Sequence, residues 1–184
     1  MTAAHPRDVT DVPEWALVKK KRKKHIRRVT ALLVEWADAM GLDPAERTAW
    51  IDAGRFHDGL RDAPVEVLRA LAESTIETEE ILHGPAAATL LERNGETRRS
   101  VLDAIQFHSI GSDHWDRVGK ALYMADYLEP GRKFDRERRA ELAARVPASF
   151  DETFREIVKA RMAYAEREGF TIYPESAALL ASVQ

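Results

Sequence analysis

Six side chains in this sequence pair metal-binding chemistry with core-facing helical positions: His25, His57, Asp58, His83, His108 and Asp126. They include four of the six histidines, and at least four of the six positions fall at phases that face a core. Burying so many imidazoles and carboxylates without a common partner costs roughly 1–3 kcal/mol for each unsatisfied group. A shared metal would satisfy them together. His25 and His57 are 32 residues apart, and the later intervals from Asp58 to His83, His108 and Asp126 are 25, 25 and 18. Such spacing excludes a local finger and requires convergence from several helices, as in a bundle. Imidazole and carboxylate donors without sulfur suit Fe, Mn, Co or Zn better than Mg or Ca. Six donors exceed what one ion needs once positions stay open for water, so two adjacent divalent ions are expected.

The elements that must carry these residues read as helices. Between Glu14 and Met40, the positions His25, Val29, Leu32, Trp36 and Met40 advance in steps of four, three, four and four, one helical face ending at Gly41. A second helix starts at Pro44 behind the N-cap candidate Asp43 and aligns Trp50, Ala53 and His57. A helix over 65–72 leads to a polar turn, then ETEEILHG is read as stopping at Gly84, with Pro85 opening a helix to Arg93. Thr97 to His108 places Val101, Ile105 and His108 on one face, and Trp115 to Leu128 places Val118, Leu122 and Asp126 on another. Helices near 136–145 and 149–168, and one after Pro174, read as scaffold. Alternating valine-rich segments are missing, so the expected class is all-α, a compact bundle with the metal centre in its core.

The chain has 184 residues, 45% hydrophobic and 32% charged, with 9 Gly and 8 Pro, which suits one core and excludes low complexity and disorder. The expected division is a loose N-terminal arm over 1–13 and one domain over 14–184. Absence of cysteine excludes a disulfide framework, a thiolate zinc site and a cysteine nucleophile. A formal net charge of −3 does not indicate a general nucleic-acid or membrane binder. No apolar run approaches the roughly 20 residues of a membrane span. The opening MTAAHPRDVTDVPEW carries no apolar signal core, so a cytoplasmic location is expected.

Beyond the order His25, His57-Asp58 and Asp126, four blocks are distinctive: RFHDGLR (55–61), ILHGPAAA (81–88), FHSIG (107–111) and ALYMADYLEPGR (121–132). In order and spacing they resemble the HD superfamily of metal-dependent phosphohydrolases, and within it the YqeK-type symmetrical diadenosine tetraphosphate hydrolases. The resemblance runs from about Lys19 to Ala181. It implies an all-α domain with a two-metal centre, commonly iron, that cuts the central phosphoanhydride of diadenosine tetraphosphate and releases two ADP. By the same resemblance His25, His57 and Asp126 would hold one metal, His83 and His108 the other, and Asp58 would bridge them. Two such ions lower the pKa of a bridging water and offset charge on attacking and leaving groups, so no nucleophilic side chain is required.

The sequence departs from that pattern in places. Arg61, followed by Asp62, stands where the family usually has Lys, exchanging a point charge for a planar fork. Arg55 and Phe56 replace an aliphatic pair, Ser109 stands for Thr, and His114 and Trp115 have no place in the motif. Arg132 is expected to reach a phosphate, with an ion pair at a helix end as its alternative, and ranks above Arg61 and Lys133. Eight of the ten residues from Lys19 to Arg28 are basic. They form a solvated helix face, a rim attracting the polyphosphate, or a nucleic-acid backbone contact. Trp15, Trp36 and Trp50 read as core, while Tyr127, Phe134 and Trp115 lie nearer the expected site. The competing functions are an HD phosphohydrolase for another nucleotide or phosphate ester, and a nucleic-acid or regulatory module with a structural metal.

Overall fold

The computed structural model describes residues 10–72 and 78–184. The described chain is helical and contains no strand. In order it forms α1 (Lys20–Ala39), α2 (Pro44–Phe56), α3 (Val65–Leu71), a 3-10 turn (Glu79–Ile81), α4 (His83–Arg93) and α5 (Arg99–Phe107). There follow α6 (Arg117–Leu128), α7 (Arg136–Arg145), α8 (Phe150–Glu168) and α9 (Pro174–Ser182). No described helix is long and apolar enough to cross a membrane.

Local chemistry accounts for several boundaries. Asp43 caps α2 by accepting from the amides of Ala45 and Glu46 at 2.9 and 3.1 Å, with Pro44 pre-set in the first turn. Asp116 caps α6 through the Val118 amide at 2.9 Å. The stripe expected on α1 is present, with His25, Ile26, Val29, Leu33, Trp36 and Ala37 buried. Trp36 and Trp50 are core, and Trp15 packs against the same core. Helix α6 buries most of its circumference, from Val118 through Leu128, because α1, α2, α5, α7 and α8 all pack on it. It forms the axis around which the site-bearing helices gather.

Tertiary contacts override the sequence-based boundaries at three points. The first helix starts at Lys20 rather than Glu14: the Leu17 amide donates to the Gly59 carbonyl at 2.8 Å, and Trp15 lies over Gly59, where a Cβ would collide with its ring. Gly84 does not stop a helix but lies in the first turn of α4. A Cβ there would stand 2.9 and 2.8 Å from the carbonyl oxygens of Ile105 and Gln106, so its absence lets α5 close on α4. Trp115 precedes α6 instead of opening it, donates to the Asp103 carbonyl at 3.1 Å, and covers Gly119. The expected N-terminal arm lies outside the described residues through residue 9. Its described end is tied to the body, with Asp11 ion-paired to Arg27 at 2.9 Å and its carbonyl accepting from Arg55. The polar turn at 73–77 also lies outside the described residues.

Because the α4–α5 contact is backbone against backbone, Gly84→Ala is expected to cost about 1–3 kcal/mol of stability. Urea unfolding of the metal-free protein checks this; an unchanged midpoint would contradict the close approach.

Candidate metal centre

His57 terminates α2, His83 opens α4 and His108 terminates α5. Each ring donates its Nδ1 proton to the carbonyl three residues earlier: His57 to Gly54 at 2.8 Å, His83 to Glu80 at 3.0 Å and His108 to Ile105 at 2.7 Å. A helix end supplies such carbonyls because they lack an intrahelical partner there or sit in tightened turns. His25, within α1, donates Nδ1 to Glu129 Oε1 at 3.2 Å. All four rings therefore spend one nitrogen outward, fixing the tautomer and leaving Nε2 as the free donor atom.

The four Nε2 atoms converge on Asp58. Its Oδ1 lies 3.1 Å from His83 and 3.5 Å from His108, while its Oδ2 lies 3.5 Å from His25 and 3.6 Å from His57. The imidazoles form the same two pairs, with Nε2–Nε2 distances of 3.0 Å for His83–His108 and 3.4 Å for His25–His57. Asp126 Oδ1 joins the second pair, 3.1 Å from His25 Nε2. Donor atoms of His25, His57 and Asp126 lie within 4.8 Å of one another, as do those of His57, Asp58 and His108. All six residues expected from the sequence are thus in one place, five of them buried and the Asp126 side chain 14% exposed.

The donor set fits a metal. Two neutral imidazoles aim lone pairs at each other at 3.0 Å, which is unfavourable without a cation or proton between them. Two nitrogens each ~2.1 Å from a common ion and ~90–110° apart are about 3.0–3.4 Å from each other, the spacing of both pairs. The cluster can therefore bind metal, and Asp58 presents a separate oxygen to each imidazole pair.

Without an ion the cluster balances its own charge. Burial opposes the charged form of His25, but the carboxylates of Asp126 and Glu129 outweigh it and lift the pKa to about 9. Burial lowers His57 to about 4, with the neighbouring imidazoles His108 and His25 adding to the effect against the carboxylates. Burial also lowers His83. For Asp58 and Asp126 burial raises the pKa, yet the surrounding imidazoles, with Arg132 beside Asp126, hold both carboxyls well below the usual range.

Three partners were not singled out by sequence reasoning. Glu129 is buried and accepts from His25, from both Arg28 Nε and Nη2, and from the Gly131 amide at 2.7 Å. Its place one helical turn after Asp126 was the available signal. Arg22 donates to Asp58 Oδ2 at 2.5 Å. Arg22 and Arg28 flank His25 at three-residue steps, so these two members of the basic run turn inward, while Lys19, Lys20, Lys21, Lys23 and Lys24 remain exposed. Arg132 donates to the carboxylate and carbonyl of Asp126 at 2.8 and 3.0 Å, the helix-end pairing, with its outer edge still exposed. Arg61 is half-buried and close enough for its charge to depress His83. His114, 91% exposed, stands away from the cluster, and Trp115 belongs to the core.

Residues 22–131, which hold every donor, match the HD domain family. The chain belongs to the HD domain family. Relatives named "Bis(5'-nucleosyl)-tetraphosphatase, symmetrical" include one from Staphylococcus aureus, 34% identical over 95 residues, covering 51% of this chain and 49% of the relative. Another, from Bacillus subtilis, is 30% identical over 118 residues, covering 60% and 62% respectively. The chain thus spans about half to three fifths of these relatives' lengths. A solved structure described as a predicted HD superfamily hydrolase involved in NAD metabolism, from Clostridium acetobutylicum, superposes with a TM-score of 0.77 over 90% of both chains at 23% identity. The shared all-helical HD fold agrees with the fold class expected from the sequence.

The two perturbed histidines set opposite limbs of a pH profile. His25, raised from 6.5 to about 9, stabilises the metal-free protein below 6.5 and loses that contribution as pH climbs through 9. His57, lowered to about 4, stabilises above 6.5 and loses its contribution as pH falls through 4. Chemical unfolding of metal-free protein is expected to show greatest stability near pH 6.5. The alkaline loss should be about 1–3 kcal/mol and absent from His25→Gln. An alkaline limb equally steep in that variant would remove His25 as its source.

Proposed function

We propose that this protein is a metal-dependent phosphohydrolase that cleaves diadenosine tetraphosphate at its central anhydride and releases two ADP. The observation that carries this reading is Asp58, whose two carboxylate oxygens each meet a separate pair of inward-facing imidazoles. His25, His57 and Asp126 would hold one divalent ion, His83 and His108 the other, and Asp58 would bridge them. Iron is the first choice, with Mn, Co and Zn also suited to nitrogen and oxygen donors. When bound, the pair supplies an activated water and polarises phosphoryl oxygens.

The chain's own groups do the remaining work. Glu129 keeps His25 in one tautomer, and the helix-end carbonyls do the same for His57, His83 and His108. Arg132, held on Asp126 with an exposed edge, can offer hydrogen bonds to a phosphate, and Arg61 can do so beside His83. The exposed lysines of α1 raise the local concentration of a polyanion, the phosphate-attracting rim among the readings of that run. Residues 14–184 act together as the catalytic domain. The similarity to the symmetrical bis(5'-nucleosyl)-tetraphosphatases of Staphylococcus aureus and Bacillus subtilis supports the choice of dinucleotide. Arg61 in place of the family's Lys favours, as the alternative, another nucleotide or phosphate ester on the same centre.

Metal-stripped protein is to be reconstituted anaerobically with Fe(II) or Mn(II), given diadenosine tetraphosphate, and its products resolved by anion-exchange chromatography. Two ADP and nothing else is the expected result. AMP with ATP would reject symmetrical cleavage, and no turnover by folded, metal-loaded protein would move the assignment to the alternative substrates. Asp58→Asn is expected to lower both metal content and turnover by more than about 100-fold; full retention of both would sink the bridging role.

A further inference from the structure

A cleft of about 660 Å³ opens beside the metal centre, bordered by α6, α8, the loop between α6 and α7, and the segment after α8. The last two helices and α7 read as scaffold from sequence, yet α8 supplies one wall. Among the described residues five large apolar side chains are exposed, and four line this cleft: Phe134 at 55%, Tyr164 at 48%, Phe170 at 58% and Ile172 at 38%. Apolar rings left together at the rim of a concave surface are a mark of ligand binding rather than of folding.

The same cleft runs from the aromatic rim to charge. Asp126, Arg132 and Ser109 line it, and the Ser109 hydroxyl lies 3.2 Å from His108 Nε2, so the cleft leads to the cluster. Arg161 lies 4.0 Å over the Tyr123 ring and holds the Ser109 carbonyl loosely at 3.5 Å, while its buried Nη1 has no hydrogen-bond partner among the described residues. Arg139 is buried behind the opposite wall, stacked on Tyr127 at 4.9 Å and Phe134 at 4.6 Å, and braces that ring at the mouth. Tyr164 and Phe170 form a second ring pair, 5.9 Å between centroids.

We propose that this cleft holds one nucleoside of the substrate, its base stacked among Phe134, Tyr164 and Phe170 and its phosphates led past Arg161 and Arg132 to the metal centre. Aromatic faces match a planar base, and guanidinium groups match phosphate oxygens. A volume of about 660 Å³ lies within the usual range for small-molecule sites. The inference rests on a nucleotide substrate and adds where one end of it is gripped.

The test is calorimetric binding of ADP, GDP and inorganic pyrophosphate to the full chain loaded with Mn(II), and to Phe134→Ala/Phe170→Ala, whose changed side chains are exposed. ADP and GDP are each expected to bind about tenfold or more tighter than pyrophosphate. The double variant should lose about tenfold or more for both nucleotides and keep its pyrophosphate affinity. Equal affinity for ADP and pyrophosphate, or a variant that binds ADP like the parent, would overturn the cleft assignment. Variant-sensitive ADP binding without cleavage of diadenosine tetraphosphate would keep the cleft and reject the proposed substrate. Cleavage with a KM unchanged in the variant would do the reverse.

Discussion

A carboxylate buried at the meeting point of four imidazoles is the constraint on which the rest of this molecule depends. Asp58 is buried, so its charge must be met by what surrounds it, and burial of an unpaired carboxylate costs several kcal/mol. The fold meets that demand by bringing Nε2 atoms from α1 and from the ends of α2 and α5 and the start of α4 to within 3.6 Å of it. Each of those rings needs a fixed tautomer, and each obtains it from an outward hydrogen bond. A bonding scheme closed on the outside and open on the inside is what a metal centre requires.

Helix ends are the means of delivery. A histidine at a helix end finds a carbonyl three residues back, which orients the ring without any further side chain. Three of the four histidines use this device. His25 sits mid-helix, where the carbonyls are engaged, and uses Glu129 instead. That carboxylate is itself held by Arg28 and the Gly131 amide. Close backbone packing completes the arrangement, since the α4–α5 approach at Gly84 sets the separation of His83 and His108.

Charge divides by depth around this centre. Arg22, Arg28 and Arg132 pair with carboxylates of the cluster or beside it, while five lysines of the same basic run stay in solvent. The inner guanidiniums lower the cost of concentrated negative charge, and the outer lysines shape the field met by an approaching anion. Aromatic rings and Arg161 carry that polarity into the adjoining cleft.

The sequence by itself determined the helical class and singled out the six side chains that the fold brings together, because helix periodicity exposes polar side chains at apolar phases, where His and Asp are costly. The legible part also included Trp36 and Trp50 in the core and the cap at Asp43. Only the tertiary structure decided how the two oxygens of Asp58 are shared and which basic residues turn inward. It also placed Glu129, 104 residues from His25 in the chain, as that ring's partner. It moved the start of α1, because Leu17 bonds to Gly59 instead of continuing a helix, and it drew α8 into the wall of a cleft. Local pattern reports which face of a helix is buried; which distant groups meet there is settled by packing between helices, and periodicity carries no record of it.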